Sequence, residues 1–169
     1  FELLWHTGGS QSDIANLRAD NIDWTTRRLF YSRQKLKSSG EGNACLVIGE
    51  ALELVLKQLP SEGPLFPHLH TLKEGKRSNY FWTKRVKAGL PDGIVLHSYR
   101  YAWAERAQRC GMPEREAMAH LGHGSKAVHR AYARSADRVT LPLEHYEAIR
   151  DAKMISLNAG LEKPASEAA

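Results

Sequence analysis

"HSYRYAWAERAQRCGMPEREAMAHLGHGSKAVHRAY", residues 97–132, reads as three helices in close succession. Tyr101, Ala102, Ala104 and Ala107 give the run from Ser98 to Arg109 its apolar positions, and Gly111 stops it. Pro113 opens the next helix, where a missing N–H costs no hydrogen bond. Gly122-His123-Gly124 breaks that helix, and "SKAVHRAYAR" begins another. The polar residues that stand out all sit at these boundaries. His97 and Arg100 open the first helix, His123 lies in the tight turn, and Tyr132 follows that histidine by nine residues.

Toward the N-terminus, "HTGGSQSDIANL" (residues 6–17) is a glycine turn feeding a helix capped by Ser10 or Ser12. "NIDWTTRRLFYSRQK" (residues 21–35) predicts a short strand, a turn around Thr25 and Thr26, and a second strand from Leu29 to Arg33. The polar "LKSSGEGN" is a hairpin loop, and the β-branched, apolar "ACLVIG" makes a third strand of a small antiparallel sheet. From Gly49 the period changes to that of a helix, carried by Leu52, Val55, Leu56 and Leu59 and closed by Pro60. "SEGPLFPHLH" (residues 61–70) reads as a loop with two prolines. Tyr80, Phe81, Trp82, Val86 and Ala88 suit a helix ending at Gly89, and "LPDGIVL" is a connector. A last helix is expected from Arg138 to Ile149, broken early by Pro142, with a frayed tail over 151–169. The expected fold is mixed α+β and mainly helical, a three-stranded antiparallel sheet beside a helical bundle.

The 169 residues carry 42% hydrophobic and 25% charged side chains, an ordinary globular composition for a single domain. No run of about 18 apolar residues and no basic-then-apolar leader is present, which points to a soluble, cytoplasmic protein. Cys45 and Cys110 lack the spacing of a disulfide framework or C-x-x-C motif and are read as small core residues. A net charge of +5 permits a polyanionic partner. Basic residues concentrate in two places: Arg27, Arg28, Arg33, Lys35 and Lys37 in one hairpin, and Lys73 to Lys87 in a later segment. Two such clusters beside one site suit a phosphate backbone. His120 and His123, three apart, could be joined by His97, His129 or Cys110 in a zinc site, but the spacing matches no finger or ribbon pattern, and no metal is expected.

In their order, Thr7-Gly8 with Asp13, Lys35, His97-x-x-Arg100, Leu121-Gly122-His123 and Tyr132 resemble the catalytic domain of the tyrosine recombinases, the phage-integrase family, over roughly residues 3–135. The resemblance implies a tyrosine hydroxyl that attacks a DNA phosphodiester, forming a 3′-phosphotyrosyl link and releasing a 5′-hydroxyl. Such a transfer needs an in-line nucleophile, cations where charge builds on the phosphate, and an acid for the leaving oxygen. It needs no cofactor. By position Tyr132 is then the nucleophile, Arg100 the second family arginine and His97 its H-x-x-R partner. Lys35 is the hairpin lysine that protonates the leaving oxygen, with Lys37 on the same strand face as its rival, and His123 hydrogen-bonds the phosphate. Tyr101 and Tyr146 lack the spacing of Tyr132 from a Gly-His turn.

One position departs from the pattern. The first family arginine falls on Ser10, and no arginine lies between Phe1 and Leu17. A cation from elsewhere, such as Arg33, Lys37, Arg130 or a partner subunit, could replace it. Ser10 and Gln11 could instead offer neutral hydrogen bonds to the phosphate, or the domain could bind DNA and cut poorly or not at all. A non-catalytic DNA-binding module on the same fold is the alternative function.

The resemblance also implies partners: double-stranded DNA, a homotetramer on that DNA, and a monomer or weak dimer without it. Residues 1–150 form the expected catalytic domain, whose helix 138–150 docks on a neighbouring protomer or packs on its own. A core-binding domain upstream of Phe1 is expected to belong to the parent protein, encoded by a bacterium or phage.

Overall fold

The computed structural model describes residues 1–33, 43–135, 142–145 and 147–152. Two compact units are present, Phe1–Asp137 and Arg138–Ala169. Among its described residues the first holds α1 (Glu2–Thr7), α2 (Gln11–Ala15), a 3-10 turn (Ala19–Asn21), three strands and six further helices. In the second, residues 143–145 and 147–152 are helical, so that 151 and 152 extend the expected last helix into the expected tail. No helix among the described residues is long and apolar enough to cross a membrane.

The sheet order is β1-β2-β3, with β1 at Ile22–Asp23, β2 at Arg28–Ser32 and β3 at Asn43–Val47, all antiparallel. Leu29 pairs with Leu46 and Tyr31 with Ala44, and these four side chains face the core. Alternation sends their neighbours the other way, because successive strand residues point to opposite faces. Phe30 is therefore exposed beside its partner Cys45, which is exposed too. Cys110, at the C-cap of a helix, is also exposed, so neither cysteine is the core residue expected.

The inner sheet face packs on Leu3 and Leu4 of α1, Ile14 of α2, and Leu52 and Leu56 of α3 (Glu50–Leu56). α3 stops short of the expected end near Pro60. The segment expected as a loop contains a short helix, α4 (Pro67–Thr71), with Pro67 in its first turn, where its locked φ and missing N–H fit. α5 (Glu74–Lys87) begins well before Tyr80 and leads to Gly89, whose φ is 64°.

α6 (Ser98–Arg109), α7 (Glu114–Leu121) and α8 (Lys126–Tyr132) follow as the spacing predicts. Trp103, Ala104 and Ala107 of α6 meet Ala117 and Leu121 of α7 and Ala133 in a second core cluster, against which Tyr132 packs. The small alanines let these backbones approach closely.

α1 is the element that joins the two clusters, and residues 1–7 carried no expectation of a helix. It ends at Gly8, which is left-handed at φ 58° and returns its N–H to Leu4 O. A Cβ at Gly8 would stand 2.8 Å from both Leu121 Cδ2 and Trp103 Cγ. Only glycine lets the turn after α1 touch α6 and α7 together. Gly8→Ala should therefore destabilise the domain by about 2–3 kcal/mol, from overpacking and a strained φ combined. Urea unfolding followed by circular dichroism measures this, and a loss below about 0.5 kcal/mol would contradict the tight contact.

Candidate active site

His97 is the N-cap of α6, and Arg100 lies in its first turn. Arg100 Nη1 donates to Gly8 O at 2.7 Å, and Nη2 donates to Leu121 O at 2.8 Å. One guanidinium thus bridges the turn after α1 and the end of α7. These charge-assisted bonds to fixed carbonyls hold it in one orientation.

α7 ends because Gly122 turns left-handed at φ 70°, and His123 N–H then bonds back to Met118 O at 2.9 Å. Arg33, 7% exposed, braces the same end from the sheet, donating to Ala119 O at 3.0 Å, His120 O at 2.6 Å and Asn43 O at 3.3 Å. Its side chain lies so close that a Cβ on Gly122 would meet Arg33 Cδ at 2.8 Å. Arg33 is thereby a buried structural cation bound to backbone carbonyls. Arg130, another candidate replacement for the absent arginine, pairs with Glu114 at 2.8 Å.

His123 Nε2 sits 3.3 Å from Arg100 Nη2. Ser125 caps α8 by accepting from Val128 N–H, and the helix delivers Tyr132 in its last turn. The Tyr132 hydroxyl lies 2.7 Å from His97 Nε2. Its ring stacks on Tyr101 at 4.4 Å, stands 4.5 Å from the His123 ring, and has the Arg100 guanidinium 5.9 Å from its centroid. Four of the expected residues, His97, Arg100, His123 and Tyr132, thus form one cluster.

Ser10 and Gln11 line a cleft of about 480 Å³ together with Gly9, Ser12, Glu74, Leu96, His97 and Arg100. Ser10 is the N-cap of α2: its Oγ accepts from Asp13 N–H at 3.1 Å, and Asp13 Oδ2 accepts from Ser10 N–H at 3.3 Å. The Gln11 amide donates to Glu74 Oε1 at 2.8 Å. Lys35 and Lys37 lie outside the described residues.

His120 faces away from His123. Its Nε2 bonds Thr7 O at 2.8 Å, and its ring stacks on Trp103 at 4.0 Å. Among the described residues no group of histidines, cysteines and carboxylates could hold a metal ion. Tyr101, considered from the sequence only as a rival to Tyr132, and His129, considered only as a zinc ligand, also take part in the cluster. The histidine six residues after His123 was the available signal.

The fold and this cluster define a tyrosine-recombinase catalytic domain. The chain belongs to the phage integrase family, whose profile matches residues 1–138. A comparison with curated proteins gives no significant match. Among solved structures, a lambda integrase dimer bound to a core site is similar with TM-score 0.66 at 20% identity, over 83% of this chain and 54% of that one. XerA recombinase gives 0.62 at 17% identity, over 97% of this chain and 55% of that one. The Tn1549 transposon integrase in complex with a circular intermediate DNA gives 0.62 at 15% identity, over 88% and 56%. The chain spans little more than half the length of these relatives.

His123, His120 and His129 are biased toward their neutral forms. Burial, then the Arg100 charge and the neighbouring His129, His97 and Arg33, push His123 from 6.5 down to about 4. Burial also lowers His120 and His129. Groups with lowered folded values take up protons more readily when unfolded, so the stability they contribute is present above pH 6.5 and is lost as pH falls toward 4. The thermal midpoint should drop across that window, and His123→Asn should flatten the drop. An unchanged slope would show that His123 is not held neutral.

Proposed function

We propose that this chain is the catalytic domain of a site-specific DNA recombinase that cuts and rejoins strands through a 3′-phosphotyrosyl bond at Tyr132. The observation that carries this reading is the 2.7 Å contact between the Tyr132 hydroxyl and His97 Nε2, beside Arg100 and His123. A half-buried tyrosine turned toward a histidine and a guanidinium favours the enzyme over a non-catalytic module on the same fold.

In this reading His97 accepts the tyrosine proton as Oη attacks phosphorus. A guanidinium has five N–H groups. The bonds from Arg100 to Gly8 O, Leu121 O and His123 leave one N–H on Nη1 and the Nε N–H for the non-bridging oxygens. Lys35 protonates the departing 5′-oxygen. The phosphodiester bond is exchanged for a phosphotyrosyl bond, so a second strand's 5′-hydroxyl can reverse the step.

The reaction is attenuated by Ser10. Ser10 caps a helix and presents no charge, while Arg33 and Arg130 have other partners. A missing charged donor at the phosphate slows such a transfer by about 10²–10³. The nearby Glu74 carboxylate adds to the deficit by opposing a phosphate in the cleft.

A nicked suicide substrate carrying the parent protein's site should trap a covalent adduct on the wild type and none on Tyr132→Phe. Ser10→Arg should trap roughly 10²-fold faster even though losing the cap costs about 1 kcal/mol of stability. Ser10→Ala controls for the cap alone and should not accelerate. Absence of any adduct from the full-length parent protein, or equal rates for Ser10→Ala and Ser10→Arg, overturns this reading.

Assembly follows the same proposal: a tetramer on DNA and a monomer or weak dimer without it. Leu143 and Ile149 of the last helix are exposed, which suits docking on a neighbouring protomer. Light scattering should show a mass near one chain without DNA and near four chains on a paired site. A stable tetramer in the absence of DNA would contradict it.

A further inference from the structure

Tyr101 carries none of the reaction steps above. It lies one turn after His97 on α6, so the two side chains rise from the same face of the helix. Arg100, one residue earlier, is turned about 100° from it. That turn sends Arg100 to Gly8 O and Leu121 O and leaves Tyr101 beside α8.

The Tyr101 ring lies on the Tyr132 ring, with centroids 4.4 Å and planes 17° apart. The His97 imidazole stands edge-on to both, 5.2 Å from Tyr101 at 85° and 5.3 Å from Tyr132 at 71°. Tyr101 thus touches both members of the 2.7 Å contact between the Tyr132 hydroxyl and His97 Nε2.

This stack is not core packing. Trp103, Ala104, Ala107, Ala117, Leu121 and Ala133 make the buried cluster against which Tyr132 packs. Tyr101 stands outside that cluster and is 41% exposed. A ring left so open gains less from burial than a core ring does, and the face it hides lies against the proposed nucleophile.

Tyr132 ends α8, and its hydroxyl stands at the tip of a side chain with two rotatable bonds. Rotation about either moves Oη off its line to phosphorus, and in-line attack needs reacting atoms about 3–3.5 Å apart. The contact with His97 cannot hold the ring throughout the step, because the proton it involves is the one removed in the proposed reaction. Stacking involves no proton. It opposes tilting of the phenol while permitting a shift within the ring plane, since parallel aromatic pairs favour offset arrangements.

We infer that Tyr101 is a positioning residue whose ring is the surface on which the Tyr132 phenol lies, holding the nucleophile beside His97 as its proton leaves. The inference rests on reading Tyr132 as the nucleophile.

Nuclear magnetic resonance of the chain with ring-labelled tyrosines follows the stack without DNA. The Tyr132 ring signals, identified by their loss in Tyr132→Phe, should be shifted upfield by the Tyr101 ring current. They should move toward ordinary tyrosine positions in Tyr101→Leu and return in Tyr101→Phe, which keeps the ring face. The parent protein on a nicked substrate shows the consequence. At saturating DNA, Tyr101→Leu should slow adduct trapping by about fivefold, the size of one aromatic pair, with DNA affinity unchanged. Tyr101→Phe should recover the rate. Tyr132 signals that do not move in Tyr101→Leu, a wild-type trapping rate in that variant, or equal slowing by Leu and Phe overturns the inference. If Tyr101→Leu does not fold, Tyr101→Gln, a ringless side chain suited to a half-exposed position, takes its place in both measurements. Failure of the wild type to trap any adduct bears on the proposed reaction, while the spectra still decide whether Tyr101 holds the ring.

Discussion

The Arg100 guanidinium is the constraint on which the site depends. It binds Gly8 O and Leu121 O, the carbonyls that end α1 and α7, and so ties together chain segments separated by 92 and 21 residues. A half-buried cation with two short bonds to fixed carbonyls cannot be relaxed without leaving charge or carbonyl unpaired. Gly8 lets the turn after α1 sit against Trp103 and Leu121, and Gly122 lets Arg33 pack on the end of α7. Arg33 performs a similar task one layer deeper, which explains why a nearby cation is not a free replacement for the absent arginine.

Ser10 exemplifies one position serving two competing demands. As an N-cap it completes a capping box with Asp13 and satisfies the first turn of a helix of five residues. As a neighbour of Arg100 in the cleft it supplies, in the proposed reaction, a hydroxyl where a second cation would neutralise phosphate charge. The two demands are met by different side chains, since a guanidinium cannot accept the bond from Asp13 N–H. The helix keeps its cap, and Ser10 adds no charge to the cleft.

Much of the architecture was legible because its signals are local. Gly111, Pro113 and Gly122 stop and start helices through φ and N–H chemistry that no distant contact overrides. The strands followed from β-branched and alternating residues, with ends off by a residue or so. α1 and α4 were not legible: each has five or six residues, too few to show a period, and forms through packing or a proline-fixed first turn. Cys45 was misplaced because an apolar run does not reveal which residues alternate outward, whereas pairing with Phe30 on an open sheet face does.

The sequence by itself determined the order of elements, and the order and spacing of His97, Arg100, His123 and Tyr132 carried the resemblance to the tyrosine recombinases that implies their roles and marks Ser10 as the departure. Tertiary structure alone decided how those side chains meet. The contact of Tyr132 with His97, the bond of Arg100 to Gly8, and the recruitment of His129 behind His123 join residues six to 92 apart. Their hydrogen-bond directions depend on donor and acceptor atoms brought within about 3 Å, a distance that only the folded chain sets.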